Sequence, residues 1–380
     1  MKVDAMDNSE LTPGRPNDRP REMRGLDMTP RRRQGISALL LTGLLLGIVT
    51  VLPMPYVSLS PGPTFNTLGE VKGVPLVKIS GHKIYETTGQ LDMVTVHQSG
   101  GPEGGLTLGE AVRAWIDPAS EVTPSSVMFA PGSTNAQVKA ANKAMFTGSQ
   151  SAAVAAAMAY LKIPTTTSTI VSSVVTGLPA DGPLEPGDQI VSINGVTITG
   201  PKSVTKAIRP LPIGSSVTFV VLRHDARVTA TMKTIENPKH KGTSYVGIMI
   251  DTYAKAPFPI DFTLAHVGGP SAGMMFTLAL IDKLTPGAMA NNQHIVGTGT
   301  IDPTGEVGGI GGIAQKMISA KRSGASLFLA PSENCVDVIG HIPDGLQVVR
   351  VATLEDAVKA VTAYGRGSRS GPALSPCTSN

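Results

Sequence analysis

Charged and aromatic side chains are scarce in this sequence. Only 16% of its 380 residues are charged and 4% are aromatic, and 32 Lys and Arg against 28 Asp and Glu leave a net charge of +4. No dense basic stripe with interleaved aromatics occurs, so nucleic acid is not an expected partner. Two cysteines, Cys335 and Cys377, exclude a disulfide scaffold and a Cys-rich metal site. One disulfide or two free thiols stay open. The seven histidines form no His-x-x-x-His pair, and no G-x-x-x-x-G-K-[ST] loop is present. No metal, cofactor or P-loop ATPase is therefore expected. What the chain does have is 41% apolar residues, enough for a core, and a length that suggests two or three domains.

One apolar run stands out. From Gln34 to Thr67 no residue is charged, and Gly35 to Leu52 reads GISALLLTGLLLGIVTVL. As a helix this stretch is about 27 Å long, enough to cross a bilayer's hydrocarbon core. Pro53 and Pro55 end it, and Tyr56 suits an interfacial position. It exceeds a signal-peptide core and no A-x-A-like site comes after it, which favours an uncleaved transmembrane helix over residues 35–55. Arg31, Arg32 and Arg33 precede it. The positive-inside rule then makes residues 1–34 a disordered cytoplasmic tail and puts the rest of a single-pass cell-membrane protein outside the cytoplasm. Residues 366–380 read as a second loose tail.

Residues 56–162 form a mixed α/β segment of unassigned role, expected to pack against the C-terminal part of the chain. From 163 to 236 the pattern changes to short β runs around LEPGDQIVSING, with a turn at Gly187-Asp188, an alternating strand and a second turn at Asn194-Gly195. This stretch resembles a PDZ domain of the bacterial protease type, a module that takes a peptide as an added strand. The residues that would receive a peptide terminus are poorly marked; Tyr160, Leu161 and Ile163 are the candidates.

Residues 237–365 carry two Gly-rich turns, each running into a helix. In the first, Gly268-Gly269-Pro270 leads to Ser271, expected to open a helix reaching Leu284. A serine there is often a simple N-cap; it also sits beside unpaired N–H groups able to hold an oxyanion. In the second, GEVGGIGG precedes a helix bearing Lys316, with Ile313, Met317 and Ala320 on one face. Burial there would favour the neutral amine, the form that accepts a serine proton; a solvated lysine is the bland alternative.

Together the two segments resemble the proteolytic domain of the Lon family. Its G-P-S-A-G stands at Gly269 to Gly273, and its T-G-x-I…G-x-V-x-x-I-G-G-[LI]-x-x-K stands at Thr298 to Ile301, Gly305 to Val307, and Ile310 to Lys316. The resemblance implies Ser271 as nucleophile, Lys316 as general base, Thr298 as support, and oxyanion donors around Gly269 and Ala272. It makes the chain an α+β multidomain protein: a transmembrane helix, a PDZ-like β domain and a Lon-type α/β proteolytic domain. The implied function is a membrane-anchored, ATP-independent serine endopeptidase acting on protein or peptide substrates, with a homo-oligomeric ring as an option. Two rivals remain. G-x-S-x-G with downstream Asp337 and His341 fits an α/β-hydrolase order, and an inactive PDZ scaffold would leave the same residues unused. His266 reads as a strand residue, and Trp115 and the methionines as core.

Overall fold

The computed structural model describes residues 30–223, 226–264 and 267–378. His266 and most of the expected N-terminal tail lie outside these. The chain divides into two compact units at Leu52/Pro53. The first holds helix α1 (Pro30–Val51). It starts earlier than residue 35, because Pro30 is suited to a first helical position and brings the three arginines into the opening turn. Pro53 stops it. None of its residues is buried, and among the described residues it is the one helix long and apolar enough to cross a membrane.

The second unit contains, in chain order, β1 (Tyr56–Asn66), β2 (Gln90–Ser99), α2 (Leu108–Ile116), β3 (Glu121–Pro124) and α3 (Asn135–Tyr160). Then come β4 (Thr166–Val174), β5 (Gln189–Ile193), α4 (Pro201–Ile208), β6 (Ser216–Arg223), β7 (Ala226–Lys233) and β8 (Ile248–Lys255). The last group is α5 (Gly273–Leu284), β9 (His294–Gly297), α6 (Ile313–Arg322), β10 (Leu327–Pro331), β11 (Gln347–Val351) and α7 (Leu354–Gly365).

Two sheets organise these elements. The larger has the order β11-β10-β9-β2-β1-β3. Its strands are parallel from β11 to β2 and antiparallel beyond. Side chains alternate between its faces, as a strand's period of two requires. Ile295, Leu327, Leu329 and Val349 face α3, α5 and α7, whereas Val296, Phe328 and Val348 face α6. Both faces are covered, so these strands are nearly all apolar. Residues 56–162, which carried no assignment in the sequence, thus supply half of this sheet.

The smaller sheet, β7-β6-β5-β4-β8, has its own core around Phe219, Val217, Ile193 and Val204. In chain order it is inserted between β3 and β9 of the larger sheet. Its last strand extends the β-rich region past residue 236, because β8 pairs along its whole length with β4. Asp188 of the Gly-Asp turn is almost completely buried and takes two hydrogen bonds from Arg223, from Nε and Nη2 at 2.8 Å each.

Two sequence expectations change. Trp115 is 82% exposed on α2 rather than part of the core. The C-terminal stretch is not loose: Cys377 is disulfide-bonded to Cys335, Leu374 is buried, and Arg369 stacks over Tyr364.

Candidate active site

The Ser271 turn is held from two sides. Gly269 donates its N–H to the Asn142 carbonyl at 3.0 Å, and Ser149 Oγ donates to the Pro270 carbonyl at 3.0 Å. Both partners lie on α3, which the sequence left without chemistry. The Ser271 carbonyl accepts from Gly299 N–H at 2.9 Å and from Thr298 Oγ1 at 3.1 Å. Helix α5 begins at Gly273 with Ala272 as N-cap, two residues later than expected. No side chain caps it. The Ser271 hydroxyl is therefore not spent on capping, which removes the bland account of that serine.

Lys316 comes from the first turn of α6. Gly312, the N-cap, has φ +67°, and a Cβ there would meet Val96 Cγ1 at 2.9 Å. The chain needs glycine on both counts to bring α6 close to β2. Asn334 holds the preceding loop by accepting from Ile310 N–H and donating to the Ile310 carbonyl, both at 2.9 Å. Lys316 is 2% exposed, between the buried Ile313 and Met317. Its Nζ donates to Thr298 Oγ1 at 3.0 Å, and no salt bridge joins it to a carboxylate among the described residues. Burial lowers its pKa from 10.5 to about 7.

Ser271, Ala272 and Lys316 line one cavity of about 320 Å³ with Phe65, Met93 and Val267. Thr298 links the pair, accepting from the amine and donating to the serine's own carbonyl. No direct hydrogen bond joins Ser271 Oγ to Lys316 Nζ in this arrangement. Gly269 is a poor oxyanion donor because its N–H is engaged by Asn142. The N–H groups of Ser271 and Ala272 have no partner among the described residues. Asp337 and His341 are exposed and lie outside this cavity, so the α/β-hydrolase constellation is not assembled.

The peptide-receiving residues expected from the sequence sit elsewhere. Tyr160 ends α3 and lines a cavity with Ile281 and Thr285. Leu161 and Ile163 pack on the core of the larger sheet, because the α3 C-terminus docks there. The smaller sheet ends at β7 and at β8; α3 and α4 pack beside β8, and the Ala254 N–H of β8 donates to Ser151 Oγ of α3 at 3.2 Å. Strand β8 is entered through Tyr245-Val246-Gly247-Ile248. Gly247 has φ +87°, and a Cβ would strike Leu178 at 2.5 Å. The signal, SYVGIMI, lies in the sequence beyond residue 236.

Comparison with known proteins places both parts. Residues 262–363 match the family model of the Lon protease (S16) C-terminal proteolytic domain, and residues 170–223 match that of the PDZ domain. The Lon protease of Azospirillum brasilense is 29% identical over 160 residues, 38% of this chain and 19% of that protein. The mitochondrial Lon protease homolog of Drosophila melanogaster is 37% identical over 94 residues, 24% of this chain and 9% of that protein. The PDZ domain of the SdrC-like protein from Listeria monocytogenes, a solved structure, is 26% identical, covers 22% of this chain and 86% of its own, and gives a TM-score of 0.21. The chain spans about a fifth or less of the length of these curated relatives. It carries a PDZ domain and a proteolytic domain of the Lon type.

Proposed function

We propose that the chain is a membrane-anchored serine endopeptidase that works without ATP through a Ser271–Lys316 dyad. The observation that carries this reading is a buried lysine with no carboxylate partner, its pKa near 7, lining the same cavity as a serine that caps no helix. A neutral Lys316 accepts the Ser271 proton as Oγ adds to a peptide carbonyl. The N–H groups of Ser271 and Ala272 receive the oxyanion, a donor type worth about 3 kcal/mol each. Protonated Lys316 then gives its proton to the leaving amine. Water adds to the acyl-enzyme as Lys316 takes its proton, and Lys316 returns that proton to Ser271 Oγ as the ester C–O bond breaks and the acid product leaves. Tightening on substrate closes the Ser271–Lys316 contact.

The PDZ domain offers the edge of β8 ahead of Ala254 to an extended peptide, supplying flexible termini to the cleft or gating it. Helix α1 anchors the chain in the cell membrane, N-terminus inside. The Cys335–Cys377 disulfide suits an oxidising compartment and supports an extracytoplasmic catalytic body.

The test is hydrolysis of an unstructured protein by purified full-length chain without nucleotide, with labelling by a serine-reactive phosphonate. Ser271→Ala and Lys316→Ala should abolish both signals, while His341→Ala should retain them. Full activity in Ser271→Ala would refute the dyad.

A further inference from the structure

Helix α2 is amphipathic, and its apolar face is uncovered. None of its nine residues is buried. Leu108, Val112, Trp115 and Ile116 recur at the spacing of one helix face. Trp115 and Ile116 are 82% and 77% exposed. The short helix Ser125–Met128 packs on the same strands, β1 and β3, and leaves Val127 73% exposed, with Met128 also in solvent. Grouped exposure of large apolar side chains marks a surface with a partner.

The identity of that partner is set by where the chain comes from. Pro53, two residues beyond α1, is the strand partner of Thr107, and Thr107 is the N-cap of α2. The Pro55 carbonyl accepts from Ser125 N–H, the first residue of the short helix, at 2.9 Å. An extended residue spans at most about 3.5 Å, so these attachments lie within roughly 7 and 14 Å of chain from the end of α1. The polar layer of one leaflet is itself about 5–8 Å deep. Tryptophan concentrates in that layer, where its ring is half in hydrocarbon and its N–H is wet.

Resting on the reading that α1 spans the bilayer, we propose that Val112, Trp115, Ile116, Val127 and Met128 form a lipid-contacting surface. It enters the headgroup layer of the leaflet from which α1 emerges. Glu110, Asp117 and Glu121 accompany Arg113 around it, so the attraction is apolar and needs no anionic lipid.

Trp115 is the sole tryptophan of the chain, which makes it its own probe. Full-length protein is reconstituted into phosphatidylcholine vesicles, with and without bromine on the acyl chains near the headgroup. The expected emission is blue-shifted, is lost in the brominated vesicles and resists aqueous acrylamide. Ile116→Ser with Val127→Ser, both at exposed positions, should move the emission to the red. Red, acrylamide-quenched emission from wild type overturns the proposal. So does blue emission indifferent to bromine, which would mean that a second copy covers the face. Protein stripped from the vesicles by alkaline carbonate refutes the membrane span, and the proposal falls with it. Retained protein with a solvent-facing Trp115 overturns the proposal alone.

Discussion

Lys316 sits where an ammonium is expensive, and that sets its pH behaviour. Its folded pKa of about 7 lies below the unfolded value of 10.5. Below pH 7 both states bind the proton and the full cost of burying the charge is felt. Between pH 7 and 10.5 only the unfolded chain is protonated, so stability rises with pH and the cost disappears above that window. At pH 7 the penalty is about 4 kcal/mol. Lys316→Met should therefore be inactive yet more stable, its gain largest in neutral and acidic buffer and vanishing towards pH 10.5, as read by urea denaturation across pH. The kcat/KM of the wild type should climb through pH 7 as the amine loses its proton. In the proposed dyad Thr298 would act by positioning, since it hydrogen-bonds both residues. Thr298→Val should lower kcat on the order of 10²-fold with KM nearly unchanged. Thr298→Ser should recover most of that loss in steady-state kinetics.

Elements were legible in proportion to how locally their signals are written. The Ser271 and Lys316 motifs are contiguous in sequence, and their two turns could be read directly. Asn142 and Ser149 could not: they hold the Ser271 turn from a helix more than a hundred residues away, where Asn and Ser look like ordinary surface residues. Gly187-Asp188 was readable as a turn, but the Arg223 that satisfies Asp188 was not, because it comes from the far side of a β-meander. Asp188 is buried, so losing Arg223 leaves its charge with the Glu185 N–H and no cation. Arg223→Met should destabilise the PDZ sheet by about 3 kcal/mol. Hydrogen exchange should show the loss in β4 to β7 first, with α5 and β9 less affected. Trp115 failed the opposite way: its hydrophobicity suggested a core position, although composition alone does not say which apolar faces are covered.

For the whole molecule, the C-terminal strap is a cross-link across 42 residues of chain. By chain entropy such a loop contributes roughly 4 kcal/mol, mostly by restricting the unfolded ensemble. Cys335 is the immediate neighbour of Asn334, whose side chain braces the loop before Lys316. Reduction, or Cys377→Ser, should lower the melting temperature and depress peptidase activity together. Melts and assays with and without reductant measure both. A disulfide that could be removed without shifting either would detach the strap from the site.

The parallel pairing of Asp92 with Val296 also dictates the order of events during synthesis. The first half of the larger sheet is made about two hundred positions before its partner and has to wait with apolar edges bare. The inserted module shortens the wait in one respect, since Thr166 and Lys255 are cross-strand neighbours once it has formed. The entropy saved by that shortcut is only about 0.5 kcal/mol. Its worth is kinetic: an early, self-contained nucleus keeps the two halves near each other while a topology rich in distant contacts assembles slowly.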